Sequence, residues 1–263
     1  VTGSGLDPVA IATSLGVPGA RAGQRIEGGA DTLIWRLESE TGPVAVRLFR
    51  ADQHAPAARE REALDAARAA GIPTPAVVAA GAWADRPVTV LEWCPGEPLL
   101  DRILATDADL ESLGRAFGRT HAAIHRVRPP SSWSARSDSS LLHLDYHPLN
   151  VLVEDGRISA VIDWVNTRAG DPRFDIARTY SILVADPTAG AVDRRITTRF
   201  RRAWLDGYAE AAGGRPRDLA AFVGRAGELM VRDLAGRHPP RELARIARWA
   251  DGWSRRTGGE RPR

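Results

Sequence analysis

The run His143-Leu144-Asp145-Tyr146-His147-Pro148-Leu149-Asn150 sets a carboxylate five residues ahead of an amide. A second carboxylate, Asp163, arrives after Glu154-Asp155-Gly156-Arg157, a turn flanked by Val151-Leu152-Val153 and Ile158-Ser159-Ala160-Val161-Ile162. Asp-Gly between two apolar runs predicts a β-hairpin, and a hairpin folded back on itself returns Asp163 towards Asn150. One amide oxygen and one carboxylate can then share a hard cation that prefers oxygen ligands and retains waters. Phosphoryl transfer from ATP asks for these parts together with a cation on the phosphates. Val44-Ala45-Val46-Arg47 offers a cation, and alternation along a strand puts Ala45 and Arg47 on the same face. His143 reads as a support residue whose ring hydrogen-bonds backbone near the site.

His-x-Asp alone recurs freely in proteins and reads equally as a capped turn with a surface carboxylate. The ordered set is more specific. Protein kinases carry His-x-Asp, an asparagine five residues after the aspartate, and a metal-binding aspartate further on. Here the set continues through Ile162-Asp163-Trp164 and Gly170-Asp171-Pro172-Arg173-Phe174-Asp175-Ile176-Ala177. The segment from His143 to Ala177 resembles the signature of the aminoglycoside phosphotransferase and choline kinase family, and the likeness extends over most of the chain from about Ile26. The resemblance implies a bilobal, protein-kinase-like α+β fold with ATP and Mg²⁺ as cofactors. It implies Asp145 as the catalytic residue, and Asn150 and Asp163 as metal ligands. Arg47 stands where the family carries lysine. Glu60, with Glu62 as the alternative, stands for the helix glutamate that holds that cation. Gly29, within Gly28-Gly29-Ala30-Asp31-Thr32, stands for the turn that covers the nucleotide. Leu91-Glu92-Trp93-Cys94-Pro95-Gly96 resembles the hinge, with the Glu92 carbonyl and the Cys94 amide reading the adenine edge. Asp175 is expected to brace the metal loop. Leu144 replaces the family's usual glycine.

The elements that must position these residues are legible in part. Asp7-Pro8 caps a short helix running to about Leu15. Ile34–Glu38 and Val44–Phe49 flank Thr41-Gly42-Pro43 as a hairpin. Ala57–Ala70 is a helix that stops at Gly71. Strands near Val77-Val78 and at Val88–Trp93 complete a small β-rich lobe with one main helix. Residues 1–93 thus form the expected nucleotide-binding lobe, and 94–263 a larger, mostly helical catalytic and acceptor-binding lobe, joined by a hinge at about 91–96. In the larger lobe Leu110, Leu113, Phe117, His121 and Ile124 trace one helix face over about Asp107–Arg126. Residues 129–140 read as a polar loop. Three amphipathic helices, through Ile196–Tyr208, Phe222–Met230 and Leu243–Trp253, finish the chain. His121 is read as a packed core histidine.

All 36 basic residues are arginine, so any role that usually falls to lysine is filled otherwise. Arginine pairs with phosphate bidentately, which keeps Arg47 a functional cation. The charge is uneven: from Gly190 onward 17 arginines meet 9 acids, a net +8, against −5 for the remainder. The basic tail falls on helix faces opposite apolar stripes, so no nucleic-acid partner is expected. No segment has the apolar length to span a bilayer and the first residues do not read as a signal peptide, so a cytoplasmic protein without a membrane partner is expected. The single cysteine, Cys94, excludes a disulfide framework. The expected partner is a small hydroxylated acceptor: an antibiotic such as an aminoglycoside, or alternatively choline, homoserine or a sugar. A non-catalytic nucleotide-binding pseudokinase is the reading of another class. Oligomeric state is not legible.

Overall fold

The computed structural model describes residues 6–26, 32–133, 136–188 and 192–257. The chain divides into two compact units: Val1–Pro95 with Ala160–Val165, and Gly96–Ser159 with Asn166–Arg263. The break falls at the expected hinge, but the short segment that carries Asp163 belongs with the first unit.

In the first unit, Asp7 caps helix α1 (Pro8–Ser14) by accepting from the backbone N–H groups of Val9 and Ala10. Five antiparallel strands follow: β1 (Arg21–Ile26), β2 (Thr32–Glu38), β3 (Val44–Phe49), β4 (Val77–Trp83) and β5 (Arg86–Glu92), ordered β1-β2-β3-β5-β4. Strand β3 is central, paired with β2 on one side and β5 on the other. Its pleat sends Val44, Val46 and Leu48 into a cluster with Ile11 and Ala12 of α1 and with Leu37, Val88 and Val90. Ala45 and Arg47 therefore take the opposite face. Helix α2 (His54–Ala69) buries Ala57, Glu60, Ala63, Leu64 and Ala67 along one stripe. Glu60 lies on that stripe, whereas Glu62 is exposed.

The second unit opens with β6 (Glu97–Pro98), helix α3 (Leu99–Leu104) and helix α4 (Leu110–Ile124), the last capped by Asp109. Strand β7 (Ser140–Leu142) leads into the run His143–Asn150. The expected hairpin forms as β8 (Val151–Glu154) and β9 (Arg157–Val161), and β9 is where the chain passes back into the first unit. Beyond it come β10 (Arg168–Gly170), which pairs with β7, and helices α5 (Pro172–Ala185), α6 (Arg194–Ala212), α7 (Leu219–Leu234) and α8 (Pro240–Ser254). Helices α4 and α6 meet through glycines. A Cβ on Gly118 would lie 2.1 Å from the Trp204 carbonyl oxygen, and one on Gly207 2.3 Å from that of Arg115. No other residue permits that approach, which packs Phe117, Phe200, Trp204 and Tyr146 into one aromatic group. No helix among the described residues is long and apolar enough to cross a membrane.

Candidate active site

The candidate residues fall into two groups, one in each unit. In the first, Arg47 is buried on β3 and its guanidinium takes two carboxylates at once: Nη1 donates to Glu60 and Nη2 to Asp163 at 3.1 Å. Glu60 is completely buried. Burial works against the Arg47 charge, but Glu60 and then Asp163 outweigh it and hold the guanidinium protonated beyond its ordinary range. Burial likewise pushes the Glu60 carboxyl up, Arg47 pulls it down, and the Asp163 charge adds to the upward push. Asp163 itself takes a left-handed backbone conformation, φ 61°, which aspartate tolerates better than most residues. Ala45 shares the Arg47 face and is half-buried. At the expected hinge β5 ends on Glu92, whose N–H donates to the Ala76 carbonyl at 2.9 Å, while the Trp93 N–H donates to Pro43 at 3.1 Å. Cys94 is half-buried and burial pushes its thiol up to about 11. The expected nucleotide-covering turn, Gly29 included, lies outside the described residues.

In the second unit the run 143–150 is held from several sides. Asp145 donates its backbone N–H to His143 Nδ1 at 3.3 Å, so the buried His143 ring does bond backbone. Asn150 spends its amide nitrogen on Asp145, reaching the carbonyl oxygen at 3.0 Å and Oδ2 at 3.2 Å. The Asn150 side-chain oxygen makes no hydrogen bond among the described residues. Burial pushes the Asp145 carboxyl up, but His147, then His143 and Arg178, pull harder and bring it below the usual carboxylate range. Asp145 is thus a carboxylate at neutral pH.

Asp175, fully buried near the start of α5, accepts from the backbone N–H of His143 at 2.7 Å and of Leu144 at 2.8 Å. It therefore braces the run that starts at His143, rather than the loop carrying Asp163. His125 Nε2 lies 3.1 Å from it and His121 Nε2 3.4 Å, and His125 Nδ1 meets the Tyr208 hydroxyl at 2.9 Å. Burial works against Asp175's charge, yet the two imidazoles hold its carboxyl well below the usual range. Burial and the neighbouring His125 lower His121 to about 4, so its ring stays neutral. Ligand atoms of His121, His125 and Asp175 lie within 4.8 Å of one another. The Asp175 oxygens are already taken by two backbone N–H groups and His125, so the cluster is a hydrogen-bonded brace rather than an ion site. Leu144 sits where the resemblance has glycine and takes φ 62° with its side chain buried.

The phosphotransferase enzyme family matches the chain over residues 22–137 and 130–222, well over half its length. The chain belongs to that family. As a member it is a phosphotransferase that passes a phosphoryl group from ATP to a hydroxyl. Solved structures agree in fold. A thermostable mutant of aminoglycoside phosphotransferase APH(4)-Ia, solved with ADP and hygromycin B, is 15% identical and has a TM-score of 0.72 over 95% of this chain and 98% of its own. Macrolide 2'-phosphotransferase MphH from Brachybacterium faecium is 19% identical with a TM-score of 0.57, covering 91% of this chain and 96% of that one. Aminoglycoside phosphotransferase APH(3'')-Id from Streptomyces rimosus ATCC10970 is 13% identical with a TM-score of 0.58, covering 90% and 96%. No curated protein matches the chain in sequence. The α+β fold of the phosphotransferase family is therefore this chain's fold.

Several residues at this site were not singled out by sequence reasoning. His147 touches both Asp145 and Asn150, and its place inside the motif was the available signal. His125 lies four residues beyond His121, one helical turn, which puts both rings on the Asp175 side of α4. Arg178, three residues beyond Asp175 on α5, donates to the Leu144 carbonyl at 3.3 Å and pairs with Asp233 at 3.0 Å.

Proposed function

We propose that this phosphotransferase uses Mg²⁺ and ATP to phosphorylate a small-molecule alcohol, with Asp145 orienting the acceptor hydroxyl. The observation that carries the reading is the Asp145–Asn150 pair. The asparagine holds the aspartate through its nitrogen and keeps its own oxygen open, so one residue serves the nucleophile and the metal. Asn150 and Asp163 supply the hard oxygen donors that Mg²⁺ prefers, and the ion, when bound, neutralises charge between the β- and γ-phosphates. Arg47, steered by Glu60, contacts the phosphates. Ala45 and the backbone of Glu92 and Cys94 take the adenine, with Gly29 in the turn over the nucleotide. His143 and Asp175 keep the catalytic run in place. The nucleotide-binding lobe is residues 1–93 and the acceptor lobe 94–263, and the enzyme works where ATP is, in the cytoplasm.

The acceptor is an antibiotic alcohol, as in the aminoglycoside and macrolide enzymes that share the fold. One observation favours a neutral or anionic metabolite instead. The unit that carries Asp145 holds 27 arginines against 21 acids, a field that disfavours a polycation. A coupled ADP-release screen over aminoglycosides, tuberactinomycin-type peptides, amino alcohols and sugars decides between them. Asp145→Asn is expected to lower kcat by about 10²–10⁴ with the true acceptor. The proposal fails if the protein binds ATP–Mg²⁺ but releases no ADP with any acceptor, and Asp145→Ala behaves the same way.

A further inference from the structure

An aspartate carboxylate turns about a broad, roughly twofold torsion, so its direction is set by whatever holds its oxygens. In this chain Asn150 holds Oδ2 of Asp145 at 3.2 Å. The other oxygen, Oδ1, lies 3.6 Å from Nε2 of His147. We infer that His147 is a positioning residue, which keeps the Asp145 carboxylate turned towards the acceptor hydroxyl by holding the oxygen that Asn150 does not. The inference rests on the function proposed above.

The ring itself is fixed. The backbone N–H of Leu149 donates to His147 Nδ1 at 3.3 Å, so Nδ1 is an acceptor and the proton of a neutral ring sits on Nε2. That proton is on the side of the Asp145 carboxylate. The same nitrogen also lies 3.1 Å from the Asn150 amide nitrogen, whose two hydrogens have the Asp145 carbonyl oxygen at 3.0 Å and Oδ2 at 3.2 Å within reach. The turn beneath is pinned, with the Asn150 N–H donating to the His147 carbonyl at 2.8 Å and the Leu100 N–H donating to that of Pro148 at 3.1 Å. The ring is mostly buried, with 18% of its side chain exposed. At 3.6 Å the Asp145 contact is an electrostatic one, and contacts of this kind tighten once substrates are bound.

Three substitutions separate positioning from simple support of the turn. His147→Asn sets an amide oxygen where Nδ1 accepts from Leu149, so the turn keeps its bond while the Nε2 donor is gone. His147→Gln sets an amide N–H near the Nε2 position and restores the donor. His147→Ala removes both. With an acceptor that supports turnover, His147→Asn is expected to lower kcat by about tenfold to a hundredfold, the scale of a misoriented reacting group, while KM for ATP and the melting temperature hold. His147→Gln recovers most of that loss. The inference is overturned if His147→Asn turns over like wild type. It is equally overturned if Asn and Gln lose activity alike with KM for ATP and the melting temperature moving in step, since His147 then only supports the turn. Wild type and Asp145→Ala run beside them: if those two match, the proposed role of Asp145 fails and this inference falls with it. If they differ, the His147 variants alone decide.

Discussion

Removing the Arg47 guanidinium tests the nucleotide unit most directly. Arg47→Met keeps the length of the side chain and deletes its charge, leaving Glu60 completely buried with the only cation it pairs with among the described residues gone. Breaking one side of a buried pair costs about 3–5 kcal/mol, because the remaining charge loses its countercharge in a place water does not reach, and the Trp164 backbone N–H offsets only part of it. The contact with Asp163 adds little, since that carboxylate is partly in solvent. The charge can be relieved by a proton. Burial already pushes the Glu60 carboxyl upward and Arg47 is the main group pulling it down. In Arg47→Met the folded-state carboxyl therefore titrates above its unfolded value, so the fold is favoured while Glu60 is protonated and loses stability as pH rises through that folded value. The expected result is a urea midpoint well below wild type at pH 8 and a smaller deficit at pH 5. Adding Glu60→Leu removes the stranded carboxyl, and apolar replacement of a buried pair is neutral or stabilising by about 1–4 kcal/mol. The double variant is thus expected to recover most of the loss in stability while failing to turn over ATP. An Arg47→Met protein within about 1 kcal/mol of wild type at pH 8, or a double variant no more stable than the single one, would falsify this account of the pair.

Three further outcomes follow from the second unit. Leu144→Gly relieves a left-handed backbone worth about 1–2 kcal/mol, but it exposes a cavity where a buried leucine contributed about 1.5–3 kcal/mol and loosens the unfolded chain. A net fall of about 1–2 kcal/mol is expected in thermal melts, and a higher melting temperature would show that strain dominates. His121 sits near 4 in the folded protein and near 6.5 when unfolded, so on acidification the unfolded chain takes up its proton first. Stability should drop by about 3 kcal/mol between pH 6.5 and 4, and His121→Phe should flatten that slope; equal slopes would remove His121 as the cause. Asp175→Ala leaves the N–H groups of His143 and Leu144 and the His125 ring without their acceptor, and about 3–5 kcal/mol should be lost in urea titrations. Asp175→Asn keeps one accepting oxygen and should lose less.

Elements with a strong local signal were legible in the sequence. Strand β3 matches its expected span, the Asp-Gly hairpin forms as β8 and β9, and α6, α7 and α8 form where their periodicity marks them, α6 and α7 burying most of the marked stripe and α8 its middle, Ile246 and Ala250. Helix α5 was not legible, for a physical reason: Asp175 to Thr179 are buried in succession, so the helix has no polar face and no 3.6-residue alternation to read. Strand β1 is almost wholly exposed and polar, which hides it equally well. At the site, Glu60 was separable from Glu62 only once helix α2 set one inward and the other outward. The brace of Asp175 on the run 143–144 joins residues more than thirty positions apart, and no local pattern encodes which backbone N–H groups a buried carboxylate will meet.

The double salt bridge of Arg47 also decides how this enzyme can be caught chemically. An acylating or sulfonylating nucleotide analogue needs an amine near the phosphates to form its bond, and this chain has no lysine anywhere. A guanidinium held protonated by two carboxylates is no nucleophile at neutral pH. The one cysteine, Cys94, offers almost no thiolate with its titration pushed up to about 11. Lysine- and thiol-directed labels should therefore find no reactive side chain in the nucleotide unit, and an irreversible inhibitor must find its nucleophile elsewhere.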